Sequence, residues 1–98
     1  MTTYEELALL LVDALKMPAR REELINEFIR RFNSEPIAEG TPEMDELFDL
    51  LMTELNDYEP NLELRIGHDW LYDDERLEEV IRGRLSEIRR GGVKVPFV

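Results

Sequence analysis

The sequence predicts an all-α fold: an antiparallel four-helix bundle with an acidic loop between the third and fourth helices and an extended C-terminal tail. Three observations carry that expectation. Apolar residues recur at helical spacing in four separate stretches. Start and stop signals bound those stretches, with Thr3, Pro18, Thr41-Pro42 and Asp73 or Asp74 before them and Pro60 and Gly91-Gly92 after. No convincing strand pair competes, so a bundle is the economical arrangement. At 98 residues the chain reads as a single domain spanning 1–98.

The first helix should run from Thr3 to about Lys16. Thr3 with Glu6 makes a capping-box pattern, and Leu7, Leu11, Ala14 and Leu15 recur along one side. More than half its girth is apolar, so it should be deeply buried or face a partner. Pro18 ends it and opens the second helix. There Leu24, Phe28 and Phe32 form an i, i+4, i+8 stripe joined by Ile25 and Ile29. Arg20, Arg21, Arg30 and Arg31 are expected to face away from that stripe, with Glu27 supporting Arg31 one turn on. Asn33 to Gly40 reads as a loop.

Thr41 caps the third helix, with Pro42 at its first position. Met44, Leu47, Phe48, Leu51, Met52 and Leu55 supply its apolar face, and it should end near Tyr58. Asn61 to Gly67 alternates Leu62, Leu64 and Ile66. It fits a short strand or one helical turn and is read as a turn or irregular. Asp73 or Asp74 starts the last helix, whose core face is Leu77, Val80, Ile81, Leu85 and Ile88. Gly83 inside it costs ~1 kcal/mol relative to Ala and is read as permitting close helix packing. Val93 to Val98 is an apolar tail expected to lie back on the bundle.

Charge is distributed unevenly. The net charge is −11, and residues 36–75 hold thirteen acids against one base, Arg65. Such a field repels nucleic acid and anionic membranes and speeds association with basic partners. The absence of cysteine removes thiolate chemistry, disulfides and cysteine-ligated zinc, and fits a reducing compartment. The apolar run near the start is interrupted by Glu5, Glu6 and Asp13, so neither a signal nor a membrane span is expected. The expectation is a cytoplasmic protein.

Asn56 to Glu75 concentrates the candidate chemistry: seven carboxylates with Tyr58, His68, Trp70 and Tyr72, broken by Pro60 and Gly67. From the residues alone, it is equally a solvated acidic loop with Tyr58 and Trp70 tucked into the core. His68 beside Asp69 is a candidate dyad, but Ser34 and Ser86 lie far from it in sequence and no nucleophile motif is present, so no enzyme is expected. Asp69, Asp73, Asp74 and Glu75 do not match an EF-hand loop, and no metal or cofactor is expected. Protein binding fits best. Carboxylates can stand in for the phosphates of a nucleic acid, and aromatic rings for stacked bases.

The order FIRRF, then an acidic helix ending in Tyr58-Glu59-Pro60, then Tyr72-Asp73-Asp74-Glu75 followed by Leu77, resembles immunity proteins of the colicin D type. Those proteins also guard some contact-dependent inhibition toxins. The resemblance covers most of residues 4–90. It implies a small acidic four-helix bundle that covers the basic active site of a tRNA-cleaving toxin, with Glu59 meeting that active site. Asn56 and Asn61 depart from the family's acidic cluster, which points to a different cognate toxin. Arg65 to Leu71 is read as a specificity element. The partner-binding residues expected are Asp57, Tyr58, Glu59, Asn61, Glu63, His68, Asp69, Trp70, Asp73 and Asp74, and Glu22 is expected to lie off this surface. The free protein should be a monomer or weak dimer. The alternative is a regulatory adaptor that binds another protein through an exposed groove or the Val93–Val98 tail.

Overall fold

The computed structural model describes residues 1–96; Phe97 and Val98 of the expected tail lie outside the described residues. Its helices are α1 (Tyr4–Lys16), α2 (Arg21–Ser34), α3 (Pro42–Leu55), α4 (Leu62–Arg65) and α5 (Asp74–Arg90). Pro18–Arg20 forms one 3-10 turn between α1 and α2. The β-bridges among the described residues are two isolated parallel ones, Thr2 with Ile37 and Tyr58 with Tyr72.

The helices begin where their caps dictate. The Thr3 hydroxyl accepts from the Glu6 N–H at 3.1 Å, the Thr41 hydroxyl from Met44 N–H at 3.3 Å, and the Asp73 carboxylate from Arg76 N–H at 3.1 Å. Each satisfies a helix-start donor that would otherwise need water. The apolar girth of α1 has the consequence expected of it. Leu7, Ala8, Leu11, Val12 and Ala14 are completely buried, and α1 packs against both α2 and α5. α3 packs against α5. Phe48 of α3 sits among three rings, Tyr4 at 5.0 Å, Phe28 at 6.0 Å and Phe32 at 6.1 Å between centroids. The Tyr4 hydroxyl hydrogen-bonds the Asp45 carboxylate and receives the Thr41 N–H at 3.0 Å, which fixes the start of α3 beside the start of α1.

Three expectations need correction, and the choice left open for the stretch after Pro60 is decided for the helical turn. Arg21 does not face solvent with Arg20 and Arg30; only 3% of it is exposed. α3 stops at Leu55, not near Tyr58. Leu62–Arg65 is one turn of α-helix, started by Asn61, whose side chain accepts from Glu63 N–H at 2.9 Å. Gly83 serves no close packing among the described residues, since a Cβ built there meets none of their atoms within 4 Å. Thr2 is a further surprise: it is wholly buried, and its backbone pairs with Pro36 O at 3.0 Å and Ala38 N at 2.8 Å.

The described part of the tail lies back on the bundle. Val95 is buried, and the Arg89 guanidinium donates to Val95 O at 3.1 Å and Pro96 O at 3.2 Å. Deleting the tail would therefore uncover core, which makes it a poor free arm for an adaptor.

Gly83 yields a stability prediction. Replacing it with Ala removes backbone freedom from the unfolded chain and meets no neighbour. Gly83→Ala should raise stability by ~0.5–1 kcal/mol, read in urea unfolding as a higher midpoint at unchanged slope. Lower stability would mean that the exposed face of α5 is packed against something.

Candidate functional site

The acidic segment leaves the scaffold where α3 ends. Asp57 N–H and Tyr58 N–H turn back onto Glu54 O and Leu55 O, both at 3.2 Å, closing the last turn. The chain then pairs with the approach to α5. Glu59 N–H donates to Tyr72 O at 2.9 Å, and Tyr72 N–H to Asp57 O at 3.0 Å. The Tyr58 and Tyr72 rings lie 6.3 Å apart across this bridge. Residues 59–71 therefore form a lobe whose two ends are stitched together. The Tyr72 hydroxyl adds a second stitch by donating to Glu54 O, a carbonyl at the end of α3, at 2.5 Å.

Bonds within the lobe fix its shape. Arg65 Nη1 donates to Glu59 O at 2.9 Å, the Glu59 carboxylate accepts from Asn61 N–H at 3.2 Å, and His68 N–H and Leu71 N–H close successive turns at 3.0 Å. Gly67 has φ +80°, a left-handed conformation that a side chain would strain. The His68 ring meets Trp70 edge-on at 4.9 Å.

The lobe is anchored to the scaffold through Arg21. Its Nε donates to Ala14 O at 2.8 Å and one Nη to Leu15 O at 3.5 Å, at the end of α1. Its two Nη atoms also reach Asp74 and Glu78 of α5, each at 3.0 Å. Asp74 then accepts the Tyr58 hydroxyl at 2.7 Å. One buried guanidinium thus joins α1, α2, α5 and the Tyr58 end of the lobe. Burial works against the charge of Arg21, but its bonds to Asp74 and Glu78 outweigh this and raise its pKa. Burial likewise opposes the Asp74 carboxylate, yet Tyr58 and Arg21 hold it below its ordinary value of 3.8. The Tyr58 hydroxyl is pushed up by burial and then by Asp74. Tyr72 is pushed up by burial and by the charges of Glu54 and Asp57.

The residues expected at the site fall into three groups. Tyr58, Asp73 and Asp74 are partly structural: Tyr58 is half-buried with its hydroxyl committed, Asp73 caps α5, and Asp74 holds Arg21. Asp57, Glu59, Glu63 and Asp69 form no ion pair among the described residues. Asn61, His68 and Trp70 belong to the exposed lobe, and Trp70 is 63% exposed, not tucked into the core. His68 turns its ring to Trp70, and no hydrogen bond joins it to Asp69 among the described residues. Nor do Asp69, Asp73, Asp74 and Glu75 converge into a group that could hold a metal, among the described residues.

Two features escaped sequence reasoning. Glu22, Asn26 and Ile29 of α2 line a groove of about 120 Å³ with Asn56, Tyr58 and Glu59. Glu22 therefore borders the site, where charge balance had set it apart. The other feature is the row of Leu62, Leu64 and Ile66, which are 65%, 56% and 71% exposed. Their alternation was visible in the sequence, but it gave no sign that all three face water.

Comparison with known proteins finds no family model, no curated protein and no solved structure that matches the chain. No helix among the described residues is long and apolar enough to cross a membrane.

The Asp74 bonds make stability depend on pH in a predictable sense. A carboxylate depressed in the folded state stabilises above its unfolded pKa, near 3.8, and loses that contribution as pH falls through the lower folded value. Half of the Asp74 side chain remains in water, so the contribution is modest. Asp74→Asn should lower stability by about 1 kcal/mol at pH 7, and the gap to the parent should narrow progressively as pH falls below 3.8. A gap in denaturant titrations that does not narrow would show that the charge of Asp74 is immaterial.

Proposed function

We propose that this chain is an immunity protein that binds and covers the basic active-site surface of a bacterial toxin nuclease, a tRNA-cleaving one by resemblance, with its carboxylates standing in for nucleic-acid phosphates. The observation that carries the reading is the stitched lobe. Asp57, Glu59, Glu63 and Asp69 lie on or beside it and form no ion pair among the described residues, and Trp70 presents a stackable ring to solvent. Its one base, Arg65, is committed to the Glu59 carbonyl. A lysine- or arginine-rich surface would supply the missing charge, and an aromatic ring beside carboxylates offers an RNA-binding surface the chemistry it already accepts.

The likeness of Tyr58-Glu59-Pro60 and Tyr72-Asp73-Asp74-Glu75 to colicin D-type immunity proteins supports the same reading. The reading includes an antiparallel four-helix arrangement of α1, α2, α3 and α5, favoured by the short α1–α2 connection, and a cytoplasmic location, where tRNA is found. Inhibition by cover asks for no catalytic group, metal or cofactor. It asks for a surface fixed before the partner arrives, which reduces the entropy lost on binding. The bonds at both ends of the lobe meet that requirement.

Glu59→Gln is the direct test, because Gln keeps an acceptor for Asn61 N–H and removes only the charge. The proposal requires a nuclease domain encoded directly upstream of this chain's gene, and against that domain Glu59→Gln should weaken binding by ~2–5 kcal/mol, mostly through faster dissociation. The association rate of the parent should fall steeply with salt. Glu5→Gln is the control: Glu5 lies by the start of α3, about 20 Å from its end at 1.5 Å per residue, and should bind as the parent does. Tight, salt-insensitive binding by Glu59→Gln would place the interface elsewhere.

A further inference from the structure

We infer that the apolar side chains of α4 and the residues after it form a docking surface for a protein that carries an apolar recess ringed by lysine and arginine. The inference rests on the nuclease-binding reading and adds the apolar chemistry that the partner must offer. Seven large apolar side chains are exposed among the described residues, and four of them, Leu62, Leu64, Ile66 and Trp70, fall within residues 62–70. Leu62 and Ile66 are one helical turn apart, so they share a side of the lobe.

Nothing in the scaffold requires these residues to be apolar. The lobe is attached through backbone pairing, the Arg65 guanidinium and the tyrosine hydroxyls, and polar residues would leave those bonds intact. An exposed aromatic and three exposed aliphatic side chains interspersed with carboxylates have the composition of a protein interface, which joins large apolar anchors to polar groups.

Charge selects the occupant. Glu59, Glu63 and Asp69 alternate with these apolar residues along the chain, and the Arg65 guanidinium is engaged by the Glu59 carbonyl. A second copy of the chain would bring the same acids and a net charge of −11. Nucleic acid and anionic bilayers are repelled for the same reason. A basic protein rim around an apolar seat satisfies both parts of the surface.

The test uses a catalytically inactivated form of the upstream-encoded nuclease domain, the parent chain, Trp70→Ala, the double variant Leu62→Ser/Ile66→Ser, and Glu59→Gln. All four chains should keep their helical content, since every altered apolar group is exposed. Binding kinetics are read at 0.15 M and 1 M NaCl. The parent should keep much of its residence time at 1 M NaCl. Trp70→Ala and the double variant should each dissociate about 30-fold faster, at both salt concentrations and with association unchanged. The defect of Glu59→Gln should shrink at 1 M.

If the apolar variants dissociate like the parent while Glu59→Gln is impaired, the apolar surface is overturned and the nuclease-binding reading stands. If the parent does not bind, both are overturned. If sedimentation shows a dimer that the apolar variants dissolve, the lobe is a self-association surface and the inference fails.

Discussion

The Arg21 guanidinium is the contact on which the rest of the architecture depends. It sits at the start of the second helix and is almost wholly removed from water. A buried cation is tolerable only when its donors are matched. Here two go to carbonyls at the end of α1 and two to carboxylates of α5. The planar fork of arginine suits this geometry, which a lysine ammonium could not reproduce. Because Asp74 also accepts from Tyr58, the junction that closes the α1–α2–α5 contact also sets where the acidic lobe leaves the scaffold.

The molecule is divided in its energetics. α1, α2, α3 and α5 share one core of aliphatic and aromatic side chains, and α1 contributes the most deeply buried face. α4 contributes no buried residue. The lobe is held by hydrogen bonds at its ends and by its own internal turns. Segments with few buried apolar contacts belong to the less stable parts of a fold and can be tuned without endangering the core. The excess of carboxylates on the lobe would favour association with a cationic partner of the kind proposed.

What could be read from the sequence was what is decided locally. Thr3, Thr41-Pro42 and Asp73 fixed helix starts because a cap acts within one turn. The Leu24–Phe28 stripe showed the inward side of its helix because helical periodicity sorts side chains by side. Arg21 defeated that same periodicity: its register looked solvent-facing, and only the approach of α5 and the end of α1 provides acceptors that make burial tolerable. The place of Glu22 in a groove with Tyr58 and Glu59 was not legible, because net charge along a chain does not say which segment folds beside it. Gly83 was assigned a packing role that depends on a neighbour, and none of the described residues supplies one. Trp70 allowed two opposite readings, core anchor or exposed ring, because the pairing of Tyr58 with Tyr72 decides between them and no local pattern encodes it.

The central claim is that one pre-shaped surface, residues 56–75, meets a basic protein partner. The most direct measurement is the amide chemical-shift map of the labelled chain before and after addition of the inactivated upstream-encoded nuclease domain. The account predicts perturbed amides across Asp57 to Trp70 and along the adjoining groove at Glu22 and Asn26, with the start of α1 and the Val93–Pro96 strip unmoved. A footprint centred on that strip or on the start of α1, with the lobe unchanged, would contradict it.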